Sequence, residues 1–150
     1  MLFHLKIIID TQEALEFTHE LFDDISYNVI KSSMELAKEL GAYKRFYDSN
    51  WAKGKRPVHF ANKKAMKLTK WQPDMDKWDA LGEMITRYGM RNALTMAIAP
   101  TATSGKAINA TESIEPVSNM LYKEEGTTNV VTFVPNFRKH WSFYKRAMEC

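Results

Sequence analysis

Between Asp10 and Gly41 the apolar positions fall on one wide helical face. Leu15, Phe22, Val29 and Leu36 recur at heptad spacing, with Thr18, Leu21, Ile25 and Leu40 beside them. Glu13, Glu16, Glu20, Asp24, Lys31, Glu35 and Lys38 take the other face. Asp10-Thr11-Gln12-Glu13 reads as a helix N-cap with a box-like carboxylate three residues on. Gly41 is the expected residue just past the end. The pattern predicts one helix of roughly 30 residues, about 45 Å long. Its apolar face needs a large partner surface, which the short segment before it cannot supply.

Ala42–Gln72 shows no sustained period and is expected to be mostly irregular, with a short helical turn at Lys63–Leu68. Pro73-Asp74 opens a second helix, with Trp78, Leu81, Ile85 and Tyr88 on one face and Gly89 closing it. The apolar run Ala93–Ala99 then predicts a buried strand near Leu94–Ile98. It meets Pro100 and five small residues, Thr101-Ala102-Thr103-Ser104-Gly105, before a short helix from about Ser104. Ile108–Pro116 is polar and loop-like. Leu121–Lys123 and Asn129–Val134 flank Glu124-Glu125-Gly126-Thr127-Thr128, a β-hairpin pattern. Pro135 and Asn136 lead into a last helical segment, Phe137–Cys150.

Strand–helix alternation places the chain in the α/β class. No internal repeat or low-complexity segment interrupts it. The strands are few and scattered, however, and cannot close a sheet by themselves. Both termini fall where an element is in progress. Residues 1–150 therefore read as a single incomplete segment, a slice of a larger α/β domain.

Composition narrows the partners. A hydrophobic content of 45% and a charged content of 26% are ordinary for a soluble globular chain. No apolar run approaches the roughly 20 residues of a membrane span. Met1–Asp10 is apolar but lacks a basic region and a small-residue cleavage site, so it is not read as a signal peptide. The one cysteine, Cys150, excludes a disulfide framework, a zinc cluster or a redox pair within this sequence. These features point to a reducing, cytoplasmic compartment. The net charge of +3 does not by itself argue for nucleic acid.

The chemistry concentrates in Arg91–Pro116. A strand, a turn of small polar residues and a helix N-terminus together can hold a phosphate. Backbone N–H groups freed at the first helical turn point outward, and the helix dipole adds about half a positive charge there. Small side chains let an anion approach, and the Thr and Ser hydroxyls can donate further hydrogen bonds. A plain αβ connection rich in small residues fits the same composition. Ser104-Gly105-Lys106 resembles the tail of a P-loop, but the full GxxxxGK[ST] is absent, and Ala107 follows the lysine.

Other constellations carry less. His4, His19, His59 and His140 show no metal-ligand spacing, and His19 reads as a surface residue of the long helix. Glu112 and Glu115 could form a carboxylate pair, or simply be loop acids. Tyr43–Trp71 interleaves aromatics with lysines and arginines and has no acid between Asp48 and Asp74. That suits either a single-strand nucleic-acid surface or a solvated loop pinned by its aromatics.

Arg91-Asn92, Pro100-Thr101-Ala102-Thr103-Ser104 and Asn109-Ala110-Thr111-Glu112-Ser113-Ile114-Glu115-Pro116 have the order and spacing of one known pattern. The stretch from Gly89 to Pro116 resembles the substrate-phosphate segment of the ribonucleotide reductase large (α) subunit, the class I, diphosphate-using form fitting best. Thr18-His19, Tyr27, Lys31-Ser32-Ser33, Glu35-Leu36-Ala37-Lys38-Glu39 and Gly41 resemble that subunit's long helix. Ala52-Lys53-Gly54 is similar to its "YAKG" turn, and Asp79-Ala80-Leu81 to a helix start. The similarity runs from about Gln12 to Phe137 and is weak in Met1–Asp10.

The resemblance implies a partial slice of a ten-stranded α/β barrel, helix-rich, with the hairpin near its C-terminal end. It implies an oxidoreductase that makes 2′-deoxyribonucleotides by thiyl-radical chemistry. Thr101, Ala102, Thr103 and Ser104 would hold the substrate's phosphates, with Pro100 and Gly105 as weaker members of the site. The family's active-site thiol, redox cysteine pair, radical-relay tyrosines and allosteric region have no counterpart here. No catalytic residue and no metal ligand is therefore assigned to this sequence. The expectation is a segment, from a split or interrupted gene or a truncated reading frame, that is inactive alone. Its partners would be the remaining large-subunit segments, a small radical-generating subunit that holds metal, and a ribonucleotide. An external thiol would be the reductant. The rival readings are a non-functional remnant and a small nucleic-acid-binding or interaction module built on residues 43–71.

Overall fold

The computed structural model describes residue 7, residues 11–111 and the short segments 121–124, 130–133, 137–139 and 141–142. Contacts divide the chain into two compact units, Leu15–Met96 and the pair Met1–Ala14 with Ala97–Cys150.

The first unit is organised by α1, Gln12–Leu40. Its cap is Thr11 rather than Asp10: the Thr11 hydroxyl accepts the Ala14 N–H at 3.2 Å. The residue at the box position is thus Ala14, and the expected reciprocal carboxylate is absent. At the other end Gly41 takes φ +79° and donates its N–H to the Ala37 carbonyl at 3.0 Å, closing the helix as predicted.

The buried stripe of α1 differs from the expected one. In the C-terminal half Ile30, Ser33, Met34 and Ala37 are buried, whereas Leu36 is 44% and Leu40 62% exposed. The elements that return to α1 within this unit cover the neighbouring stripe, one residue around the helix. Leu15, Phe22 and Val29 of the expected stripe are half-buried.

The chief partner is α3, Met75–Tyr88, which follows two 3₁₀ turns (Phe46–Asp48 and Pro57–Phe60) and the short α2, Lys63–Met66. Asp74 caps α3 by accepting the Lys77 N–H at 3.0 Å. Trp78, Leu81 and Ile85 turn inward at the spacing that the sequence predicted, with Gly82 buried beside them and Tyr88, the fourth predicted position, half-buried. They join Ile30, Met34, Phe46 and Met90 in one core cluster. The Trp78 indole N–H donates to Asp23 Oδ1 at 2.8 Å, and Tyr27 meets the same ring edge-on. Gly89 ends α3 with φ +82° and ψ −168°, a conformation essentially reserved for glycine. A Cβ there would lie 2.5 Å from that of Ala42.

The aromatics of the basic loop mostly pin it to this core. Phe46 is buried against Tyr43, and Trp71 stacks on His19 with ring centroids 5.6 Å apart. Arg56 lies against Gly82 and pairs with Asp79.

The predicted strand at Leu94–Ile98 does not form. The backbone from Leu94 to Thr101 has neither helix nor strand, and Leu94, Met96 and Ile98 are 89%, 49% and 65% exposed. A strand needs a neighbour for its backbone groups, and the sheet found among the described residues is elsewhere. That sheet pairs β1 (Leu121–Glu124) antiparallel with β2 (Val130–Phe133), in the register Leu121 opposite Phe133. The turn expected between them and most of the expected helix Phe137–Cys150 lie outside the described residues.

The short helix α4 spans Ala102–Ala107 and starts two residues earlier than expected. Thr101 opens it: its carbonyl accepts the Gly105 N–H at 2.6 Å. Ala102, Thr103 and Ser104 are therefore the first helical turn, not a loop ahead of it.

Candidate functional site

The residues expected to hold phosphate are thus gathered at one helix start. Thr101, Thr103 and Ser104 are exposed, and Gly105 is buried. The first turn has no preceding carbonyls within the helix, so the N–H groups of Ala102, Thr103 and Ser104 lack an intrahelical acceptor. Gly105 differs from them, because its N–H is already bonded to Thr101. Pro100 has no N–H at all. Neither of these two members of the predicted set has a free backbone N–H to offer.

The far end of α4 explains a motif residue that sequence reasoning left without a role. Asn109 has φ +53°, and the Ala110 N–H donates to the Gly105 carbonyl at 2.8 Å. A six-to-one bond across a left-handed residue is the mark of a Schellman-type closure, and the Ile108 N–H on the Ser104 carbonyl at 3.2 Å is the last helical bond before it. Asparagine suits that place because it tolerates the left-handed conformation better than most side chains. Glu112 and Glu115 lie outside the described residues.

Arg91-Asn92, the other end of the motif, is stitched to α1. The buried Ser33 hydroxyl donates to Asn92 Oδ1 at 3.1 Å and accepts the Asn92 N–H at 3.0 Å. The Arg91 N–H donates to the Ser33 carbonyl at 3.0 Å, and the Tyr43 N–H to the Met90 carbonyl at 2.9 Å. The Arg91 guanidinium reaches the Leu40 and Gly41 carbonyls at 3.5 and 3.4 Å, placing a cation at the negative end of α1. Ser33 was missed as a partner of Asn92. The available signal was a serine in the stripe Ile30, Ser33, Met34, Ala37, where a buried hydroxyl needs a partner.

Among the described residues no group of three or more His, Cys, Asp or Glu could hold a metal ion. His19 is engaged with Trp71, and His59 Nδ1 accepts the Arg56 N–H at 3.3 Å. His4 and His140 lie outside the described residues. No described helix is long and apolar enough to cross a membrane.

A family profile described as "Ribonucleotide reductase, barrel domain" matches residues 1–143. The chain is 38% identical over 154 residues to the ribonucleoside-diphosphate reductase subunit alpha of Helicobacter pylori, covering 99% of this chain and 19% of that protein. The subunit alpha of Chlamydia pneumoniae is 35% identical over 143 residues, covering 91% of this chain and 13% of that one. That of Enterobacteria phage T4 is 33% identical over 136 residues, covering 89% and 18%. The chain therefore spans about a fifth or less of the length of these relatives.

Proposed function

The chain belongs to the ribonucleotide reductase barrel-domain family, and we propose that it serves as one segment of a ribonucleoside-diphosphate reductase large subunit, holding the substrate's phosphates. Thr101, Ala102, Thr103 and Ser104 do the binding. The observation that carries this reading is the start of α4 at Ala102. Three successive N–H groups and two exposed hydroxyls, on Thr103 and Ser104, are offered where the helix dipole is positive. Pro100 and Gly105 keep the approach free of bulk.

Within these 150 residues the one thiol is Cys150. Hydrogen abstraction and disulfide formation therefore fall to the remaining large-subunit segments. A metal-containing small subunit supplies the radical, and an external thiol supplies the electrons, in the cytoplasm. This segment positions the ribonucleotide and is inactive alone.

Titration of the full chain with CDP, followed by backbone amide shifts, tests the site. The expected result is saturable shifts at Ala102, Thr103 and Ser104, competed by pyrophosphate and not by cytidine. Replacing both hydroxyls, Thr103→Val with Ser104→Ala, is expected to weaken binding by roughly 10- to 100-fold, the scale of hydrogen bonds to a charged group. Shifts that map elsewhere, or a double variant that binds as well, would refute the assignment.

A further inference from the structure

The charge of this chain is not spread evenly. Nine of its 21 lysines and arginines fall in residues 44–70, against one of its 18 acids, Asp48. That stretch carries +8 and the rest of the chain −5, a division that the overall +3 conceals. Its two arginines are paired, Arg45 with Asp48 and Arg56 with Asp79. Lys44, Lys53, Lys55, Lys63, Lys64 and Lys67 are exposed, and among the described residues none has a carboxylate partner. Unpaired charge of one sign, gathered in one region, raises the local potential and draws a polyanion.

Two aromatics of this region do not serve the core. Tyr47 is 84% and Phe60 65% exposed. Phe60 joins Tyr43 and Trp51 in lining an open cleft of about 400 Å³, to which Lys55 and Arg56 also contribute. The cleft is built on a fixed turn. The Lys55 N–H donates to the Asn50 carbonyl at 2.9 Å, and the Gly54 N–H to the Trp51 carbonyl at 3.0 Å. The Trp51 indole N–H reaches the Ala93 carbonyl at 3.4 Å, and Asp79 holds Arg56. Phe60 ends the turn Pro57–Phe60, and Asn62 then caps α2 by accepting the Lys64 and Ala65 N–H groups at 3.0 and 3.3 Å. Lys63 and Lys64 thus follow the exposed ring directly, in the first turn of α2.

We propose that residues 43–67 form a binding surface for a short run of single-stranded nucleic acid. Bases stack on Phe60 and Trp51 in the cleft and on Tyr47, while Lys53, Lys55, Lys63 and Lys64 meet the phosphates. Exposed rings beside cations suit unpaired bases, which offer flat apolar faces on an anionic backbone. A duplex hides those faces within its stack. Six lysines without carboxylate partners are more than the phosphates of one nucleotide can use. An acidic peptide would use the lysines but not the rings of Phe60 and Tyr47. The surface is separate from Thr101–Ser104, so the proposal goes beyond the large-subunit reading and stands or falls without it.

The test titrates the full chain into labelled oligo(dT) and oligo(U) of about 12 nucleotides, a length within the usual range of such sites, and follows fluorescence anisotropy. Saturable binding with a Kd of about 1–100 µM at physiological salt is expected for at least one strand, and the tighter of the two names the sugar. Log affinity should fall linearly with log salt. Lys63→Gln with Lys64→Gln is expected to make that slope shallower by about 1.4, the value of two phosphate contacts at about 0.7 each. Phe60→Ala is expected to weaken binding about tenfold and leave the slope unchanged. Tyr47→Ala, run beside it, should weaken binding less. Both rings are mostly exposed, so melting of either variant should match wild type. No binding even at low salt would overturn the proposal. So would a duplex of the same length or poly-glutamate that binds as tightly, or aromatic variants that both bind like wild type, since charge alone would then suffice. Competition by dTMP as effective as by the oligonucleotide would assign the cleft to a single nucleotide and overturn the strand.

Discussion

Helix α3 and the run Leu94–Ile98 each carry apolar residues at the spacing of the element predicted for them, yet the structure treats them oppositely. Trp78, Leu81 and Ile85 of α3 are 0–1% exposed, while Leu94, Met96 and Ile98 range from 49% to 89%. The difference is in what each element needs. A helix satisfies its backbone internally and asks only for side-chain partners, which α1 supplies. A strand must find backbone partners as well, and none lies within reach among the described residues. Apolar periodicity thus specifies the element a segment is fit for, and its surroundings decide whether the element forms.

The sharpest way to break this comparison is to truncate one leucine in each region. Leu81→Ala, at 0% exposure, is expected to destabilise the chain by about 2–5 kcal/mol, through lost burial and the cavity left behind. Leu94→Ala, at 89% exposure, should change stability by no more than about 0.5 kcal/mol. Urea titration followed by tryptophan fluorescence reads both. Equal costs would mean that Leu94 is packed in solution.

Next in size is the glycine that joins the two regions. Gly89→Ala forces a side chain into φ +82° and ψ −168° and drives its Cβ against Ala42. The expected cost is about 2–4 kcal/mol, from backbone strain and overpacking together. A cost below about 1 kcal/mol in the same titration would show that the chain can leave α3 by another path.

Ser33→Ala probes the clasp just ahead of the exposed run. The buried hydroxyl serves Asn92 twice, so its loss strands both Asn92 Oδ1 and the Asn92 N–H. The expected destabilisation is about 1–3 kcal/mol. Faster amide exchange at Asn92, with that at Leu81 slowed or unchanged relative to global unfolding, would place the loss locally. No effect at Asn92 would mean that Arg91 and Met90 hold the segment without the serine.

Much of this was legible in the residues. The long helix, its Gly41 end and α3 with its Asp74 cap were readable because those signals are local. The side chains at Asp74, Gly41 and Gly89 act on backbone groups a few residues away. In the C-terminal half of α1 burial was read one stripe off, because Leu36 and Leu40 continue the better heptad, whereas Ile30, Met34 and Ala37 are the residues covered. The hydrophobic pattern cannot say which of two apolar stripes is covered. The Ser33–Asn92 pair spans 59 positions and left no periodic trace. The start of α4 was misplaced because Thr101 and Ser104 are both credible caps, and the Gly105-to-Thr101 bond that decides between them is a backbone matter.

The smallest expected effect concerns α4, which contrasts with α3 in another way. Six residues are too few for a helix to sustain itself by propensity, and α4 has Gly105 buried while Thr103 and Ser104 face water. Its stability therefore depends on closure at its ends. Gly105 takes part in both: its N–H bonds to Thr101 and its carbonyl accepts from Ala110. The second bond requires Asn109 at φ +53°. Asn109→Gly and Asn109→Ala both remove the side chain and whatever it bonds, so the difference between them isolates the backbone. Glycine enters the left-handed region freely, whereas alanine pays about 1 kcal/mol or slightly more. The Ala110 amide should therefore exchange roughly fivefold faster in Asn109→Ala than in Asn109→Gly. If the phosphate reading is right, the alanine variant should also bind CDP a few-fold more weakly than the glycine variant, because the first turn would be formed less of the time. Equal exchange in the two variants would mean that the asparagine side chain, not its backbone conformation, holds the end of α4.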